Sequence, residues 1–178
     1  MSPEALGQGS EPLVGSVRMA LIKIVSGGQT GVDRGALDAA LAAKFPCGGW
    51  CPADRRAEDG PIPVRYPLTP LPSGGYRERT RQNVIDSDGT AIVFYESLTG
   101  GTLLTRNLCA RAKKPFIVLD AMRSTELTAA AAIARFADEN HIGALNIAGP
   151  RLSGWAQGQA FAERVVAGLI DQCRRTVE

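Results

Sequence analysis

An apolar, β-branched run, Leu21-Ile22-Lys23-Ile24-Val25, passes through Ser26-Gly27-Gly28-Gln29-Thr30-Gly31 into the alanine-rich segment that begins at Val32. A strand that feeds a helix through a glycine-rich turn is the repeating unit of a parallel sheet, because parallel neighbours need a crossover and not a hairpin. The same turn leaves backbone N–H groups at a helix N-terminus, where the helix dipole favours negative charge. This stretch therefore constrains the architecture to α/β and points to a phosphate or similar anion as ligand.

The rest of the chain repeats the alternation. The pattern predicts strands at Leu21–Ser26, Phe45–Trp50, Thr90–Tyr95, Phe116–Leu119 and Ala144–Ala148. Helical periodicity marks Gly31–Ala43, Tyr76–Asp86, Thr102–Lys113, Thr125–Glu139 and Gly154–Arg174. Between Cys51 and Ser73 lie six prolines, and the segment reads as a long irregular flap anchored by Ile62, Val64, Tyr66, Leu68 and Leu71. Residues 1–18 show no periodicity and read as a flexible N-terminal tail. The expected fold is a Rossmann-like three-layer αβα sandwich with a mainly parallel sheet, one ligand-binding domain over 19–178.

A net charge of +2 over 178 residues is too small to argue for nucleic acid. No apolar run reaches the roughly 18 residues of a membrane span, and no secretory leader is visible, so cytoplasmic residence is expected. Four cysteines do not make a disulfide scaffold in a domain of this size. Cys47 and Cys51 could supply half a zinc site, but the single histidine, His141, is distant and reads as a helix C-terminal cap.

Three glycine-bearing turns follow strands: Ser26–Arg34, Ser97–Thr102 and Ala148–Ser153. In an open parallel sheet such turns can share one cleft beyond the strand ends. The first departs from G-x-G-x-x-G at its first position and lacks G-K-[ST], which argues against a dinucleotide fingerprint and excludes a Walker A loop. Thr30 and Asp33 also read as a capping pair, and Thr102 as an N-cap. Arg151, placed by this reading at the start of the last helix, is a cation where the dipole disfavours one.

Arginines cluster around the flap (Arg55, Arg56, Arg65, Arg77, Arg79, Arg81), and their planar forks suit oxyanions. Glu58 or Asp59 could serve as a general acid or base, and Cys51 as a low-pKa thiol beside Arg55. No Ser-His-Asp set can be assembled.

The motifs SGGQTGVDR (Ser26–Arg34), GGWCP (Gly48–Pro52), RRAEDGPIP (Arg55–Pro63), Tyr66-Pro67, Glu78-Arg79-Thr80, Asn83, SDGT (Ser87–Thr90), LTGGT (Leu98–Thr102), Lys114-Pro115 and NIAGPR (Asn146–Arg151) together resemble the molybdenum carrier proteins. That family belongs to the SLOG Rossmann-like superfamily, which also holds proteins once labelled lysine decarboxylases. The resemblance implies a binding protein more than an enzyme. Its cargo would be molybdenum cofactor, a phosphorylated pterin (molybdopterin), protected and delivered to molybdoenzymes such as nitrate reductase. It also implies a homo-oligomer, dimer or tetramer.

The candidate binding residues are Gly27, Gly28, Gln29, Thr30, Gly31, Arg34, Arg55, Arg56, Thr99, Gly100, Gly101, Thr102, Gly149 and Arg151. Trp50 or Tyr76 would flank the pterin. The alternatives are a nucleotide-binding sensor and an enzyme resembling nucleoside-monophosphate phosphoribohydrolases. Those hydrolases carry P-G-G-x-G-T-x-x-E, and here Thr105 stands where the glutamate would be.

Overall fold

The structure, a computed structural model, describes residues 21–175; the tail expected over 1–18 lies outside them. Among the described residues the elements run β1 (Lys23–Val25), α1 (Val32–Ala42), β2 (Cys47–Cys51), β3 (Arg56–Ala57), β4 (Gly60–Pro61), β5 (Leu68–Pro70) and α2 (Tyr76–Asp86). They continue with β6 (Gly89–Phe94), α3 (Gly100–Ala112), β7 (Phe116–Asp120), α4 (Glu126–Glu139), β8 (Ala144–Ala148) and α5 (Gly158–Arg175). Six strands form one parallel sheet in the order β5-β2-β1-β8-β6-β7. β3 and β4 form a separate antiparallel hairpin. The fold is Rossmann-like α/β, and none of its helices is long and apolar enough to cross a membrane among the described residues.

Strand alternation assigns the layers. In β6, Ala91 and Val93 join the core beneath α1, α4 and α5, whereas Ile92 turns to Val84 of α2 and Cys109 of α3. α5 carries Val165, Val166, Leu169 and Ile170 into the larger core, all fully buried. At about 1.5–3 kcal/mol for each such side chain, this stripe outweighs helix propensity, which varies by less than about 1 kcal/mol per residue outside proline. The chain runs outward from β1 to β2 and β5, crosses to β6 and β7, and returns as β8 between β1 and β6. The order therefore reverses at β1 and β8, and their carboxyl ends open the crevice where ligands of such sheets bind.

Four expectations are corrected. The segment from Cys51 to Ser73 is not wholly irregular: it holds the β3–β4 hairpin, and β5 extends the main sheet beside β2. Prolines are tolerated there because an edge strand has a side without ladder partners. Ile62, Tyr66, Leu68 and Leu71 are buried, but Val64 is 93% exposed and anchors nothing. α3 starts at Gly100 with Thr99 as its N-cap, so Thr102 lies inside the first turn. α5 starts at Gly158, because Gly154 and Trp155 donate their N–H groups to the Arg151 carbonyl in a turn that precedes it. Arg151 is thus not in the first turn of α5, and the dipole misfit does not arise. His141 does follow α4 at φ 53°, its N–H bonded to the Asp138 carbonyl at 3.2 Å.

Candidate functional site

The turns after β1, β6 and β8 border one cavity of about 300 Å³. Gln29 and Asp33 come from the first, Tyr95 to Ser97 and Thr99 to Thr102 from the second, and Ala148 to Arg151 with Gly154 from the third. α2 closes the side with Tyr76, Arg79 and Thr80. Tyr95 lies parallel on Trp155, with centroids 5.1 Å apart and an interplanar angle of 4°, and Trp155 in turn packs on Phe161. Of these three rings, Tyr95 lines the cavity.

The helix end left open is that of α3. A Cβ added at Gly100 or Gly101 would meet nothing within 4 Å, so the chain faces open space there. Thr99 makes no side-chain cap hydrogen bond, and the first N–H groups of a helix have no partner within it. Gly100 holds φ 53°, a conformation that glycine adopts without strain. Thr105, one turn on, donates its hydroxyl to the Gly101 carbonyl at 2.9 Å.

The β1–α1 turn, by contrast, is filled by the protein itself. Thr30 N–H donates to Gln29 Oε1 at 3.0 Å, Gln29 N–H to Asp33 Oδ2 at 3.3 Å, and Val32 N–H to the Pro150 carbonyl at 3.1 Å. Gly31, at φ 80°, leaves room for the 150–152 backbone; a Cβ there would lie 2.5 Å from the Pro150 carbonyl oxygen. Nor is Thr30 a helix cap: its hydroxyl donates to Glu58 and accepts from Leu152 N–H. Asp33 reaches back one residue beyond the position a capping box requires.

Residues 24–170 match the circularly permutated YpsA SLOG family. The chain belongs to that family. A Syntrophus aciditrophicus SB protein called "Putative molybdenum carrier protein", with a crystal structure at 1.45 Å, is 40% identical to it. The two superpose with a TM-score of 0.82 over 85% of this chain and 96% of that one. No curated protein matches by sequence. The family resemblance read from the motifs is thereby shown.

Of the residues singled out from sequence, this SLOG-family chain brings Gln29, Thr99, Gly100, Gly101, Thr102, Gly149 and Arg151 to the cavity. Gly27, Gly28, Thr30, Gly31, Arg34, Arg55 and Arg56 are not on its wall. Arg34 is buried, its Nε donating to the Gly28 carbonyl at 3.2 Å and its two terminal nitrogens to Asp59 at 2.6 and 2.8 Å. Arg55 ties down the flap by donating to the Leu68 carbonyl at 2.9 Å. Arg56 is exposed and lies over the Tyr76 ring at 5.8 Å. Trp50 is also off the cavity, its indole N–H bonded to Asp86 at 2.6 Å.

The carboxylates considered for acid–base work are engaged otherwise. Burial pushes the Glu58 pKa up, but hydrogen bonds from Ser153 and Thr30 and the Arg151 charge bring it below the usual value. Arg34 holds Asp59 low. Burial raises the Cys51 thiol pKa despite Arg55, so it is not the activated thiol its neighbour suggested.

Arg79, grouped from sequence with the flap arginines and not among the candidate binding residues, is on the wall. Its Nη1 donates to Asp33 Oδ2 at 3.0 Å, and its buried Nε has no hydrogen-bond partner. A Cβ on Gly27 would lie 1.7 Å from that Nη1, so Gly27 is where the guanidinium rests on the turn. A sequence signal existed: Tyr76, Arg79, Thr80 and Asn83 recur at i, i+3, i+4 and i+7, the stripe a helix turns inward. Its polar character concealed it.

Proposed function

We propose that this protein binds a phosphorylated, ring-bearing small molecule of the molybdenum cofactor class and carries it without transforming it. The observation that supports this most is the open N-terminus of α3 in a cavity that also holds Arg79 and Arg151. A phosphate would meet there the first N–H groups of α3 and the cations Arg79 and Arg151, with the carboxylates of Asp33 and Glu96 on the same wall. Gln29, Thr99 to Thr102, Gly149 and Arg151 are the proposed contacts, and the Tyr95–Trp155 stack offers an apolar face to a pterin ring. Thr105, at the hydrolase glutamate position, and the engaged Glu58 and Asp59 favour retention of the cargo over its hydrolysis. The name of the 40% identical relative points the same way.

In this reading the described domain is one unit that acts in the cytoplasm, as a dimer or tetramer, and hands cofactor to molybdoenzymes. The test is to mix the purified protein with molybdenum cofactor released from a molybdoenzyme, separate it by gel filtration, and assay bound pterin and transfer to cofactor-free nitrate reductase. Retention and transfer above those of an unrelated Rossmann-like protein are expected. Equal values, or release of free base from nucleoside monophosphates, would overturn the proposal.

A further inference from the structure

The third wall of the cavity, residues 149–157, contains no strand or helix, yet it carries Arg151. Val32 N–H and the Thr30 hydroxyl hold it at Pro150 and Leu152, Trp155 packs its far end, and at Ser153 and Arg151 it meets one carboxylate, that of Glu58. Glu58 sits at the tip of the β3–β4 hairpin, whose flanks Ala57 and Ile62 are buried and whose other tip residue, Asp59, is held by Arg34. From that base, Glu58 Oε1 accepts the Thr30 hydroxyl and, at 3.1 Å, Ser153 N–H. Its Oε2 accepts the Ser153 hydroxyl at 2.6 Å and lies 3.8 Å from Arg151 Nε. Glu58 N–H donates to Gln29 Oε1 at 2.9 Å. One carboxylate thus joins the hairpin, the β1–α1 turn and the β8–α5 wall.

We infer that Glu58 is a positioning residue of the cavity, acting through Ser153 to fix the 150–154 wall and present Arg151 to an anion. The inference rests on the proposed phosphorylated ligand. Nothing in it requires Glu58 to touch that ligand. Its bonds to Ser153 are short and well formed, whereas its approach to Arg151 is at the limit of an ion pair, so an arriving phosphate can take the guanidinium without breaking the latch.

Two measurements on the whole protein test this. Hydrogen exchange without ligand should show faster exchange of the 151–157 amides in Glu58→Ala, with α5 amides beyond Gly158 unchanged. Binding of a pterin monophosphate and of its dephosphorylated form is then compared by titration. Glu58→Ala should weaken the phosphorylated probe roughly tenfold, the scale of one charge-assisted hydrogen bond, and leave the other unaffected. Glu58→Gln, which keeps an acceptor for Thr30 and Ser153, should stay within about twofold, well under one such bond. In an Arg151→Ala background, Glu58→Ala should add no further loss.

Unchanged exchange, unchanged affinity, or additive losses would overturn the positioning role. Failure of the wild type to bind the phosphorylated probe would instead remove the ligand reading, and the inference with it.

Discussion

Replacing Gly27 by Ala tests the seat of Arg79 most directly. The new Cβ would stand 1.7 Å from Nη1, 2.5 Å from Cζ and 3.0 Å from Nε of Arg79, and the guanidinium, at the end of a flexible chain, must move. Gly27 has no positive φ, so the backbone accepts alanine. The loss is therefore the 3.0 Å contact to Asp33, whose side chain is 5% exposed against 14% for Arg79. Removing one partner of a buried pair costs about 3–5 kcal/mol. Asp33 keeps the Gln29 N–H, and burial already outweighs Arg79 to raise its pKa, so it can take up a proton in place of a bare charge. We expect about 2–3 kcal/mol of destabilisation, or roughly 4–12 °C in Tm for a domain of this size.

The decisive comparison is the double variant. Arg79→Ala alone should cost a similar amount, and Gly27→Ala with Arg79→Ala should cost no more than Arg79→Ala, since the displaced group is gone. Alanine also restricts the unfolded chain, which can make the double variant about 0.4–1 kcal/mol more stable than Arg79→Ala. Urea unfolding of the four proteins gives the coupling energy. Additive losses would mean that Gly27 accommodates something other than Arg79, and the seat would be refuted.

Gly101→Asp places a carboxylate at the open N-terminus of α3, where the dipole should hold or raise stability by about 0.3–1 kcal/mol. The same change should abolish phosphate-dependent binding in a titration with pterin monophosphate. Asp59→Asn should lower stability by about 1 kcal/mol at neutral pH, kept small because Asp59 is half exposed. Asp59 has a depressed folded pKa, so its contribution is complete above the unfolded carboxylate pKa and is lost as pH falls through the folded value. The wild-type and Asp59→Asn melting curves should therefore converge on acidification. Cys51 and Cys109 are fully buried and burial raises both thiol pKa values. Mass spectrometry after thiol labelling of the native protein should find both unmodified until denaturant is added.

Element type was legible wherever its cause is local. α2 occupies Tyr76–Asp86 and β8 Ala144–Ala148, the spans periodicity marks, because side-chain pattern and flanking glycines act within a few residues. β5 was hidden because Leu68-Thr69-Pro70, directly after Pro67, is too short to show a period, and only pairing with β2 makes it a strand. Partner identity was equally hidden. In sequence the turns after β1 and β6 look alike, each a glycine pair with a threonine within two residues.

What separates those turns lies far along the chain. The Pro150 carbonyl occupies Val32 N–H, the 150–152 backbone packs on Gly31, and the Arg79 guanidinium lies on Gly27. Nothing lies within 4 Å of a Cβ built on Gly100 or Gly101. Both turns use glycine to bring a group close to the backbone. After β1 that group belongs to the protein, which joins two cavity walls and seats a cation. After β6 the space stays open, and the proposed anion would bind there. For the ligand proposed above, a fixed seat lowers the cost of binding, since a cation of the same cavity is then ordered before the ligand arrives. On the proposed reading, the turn that most constrains the fold supports the site, and the binding surface lies after β6, at the start of α3.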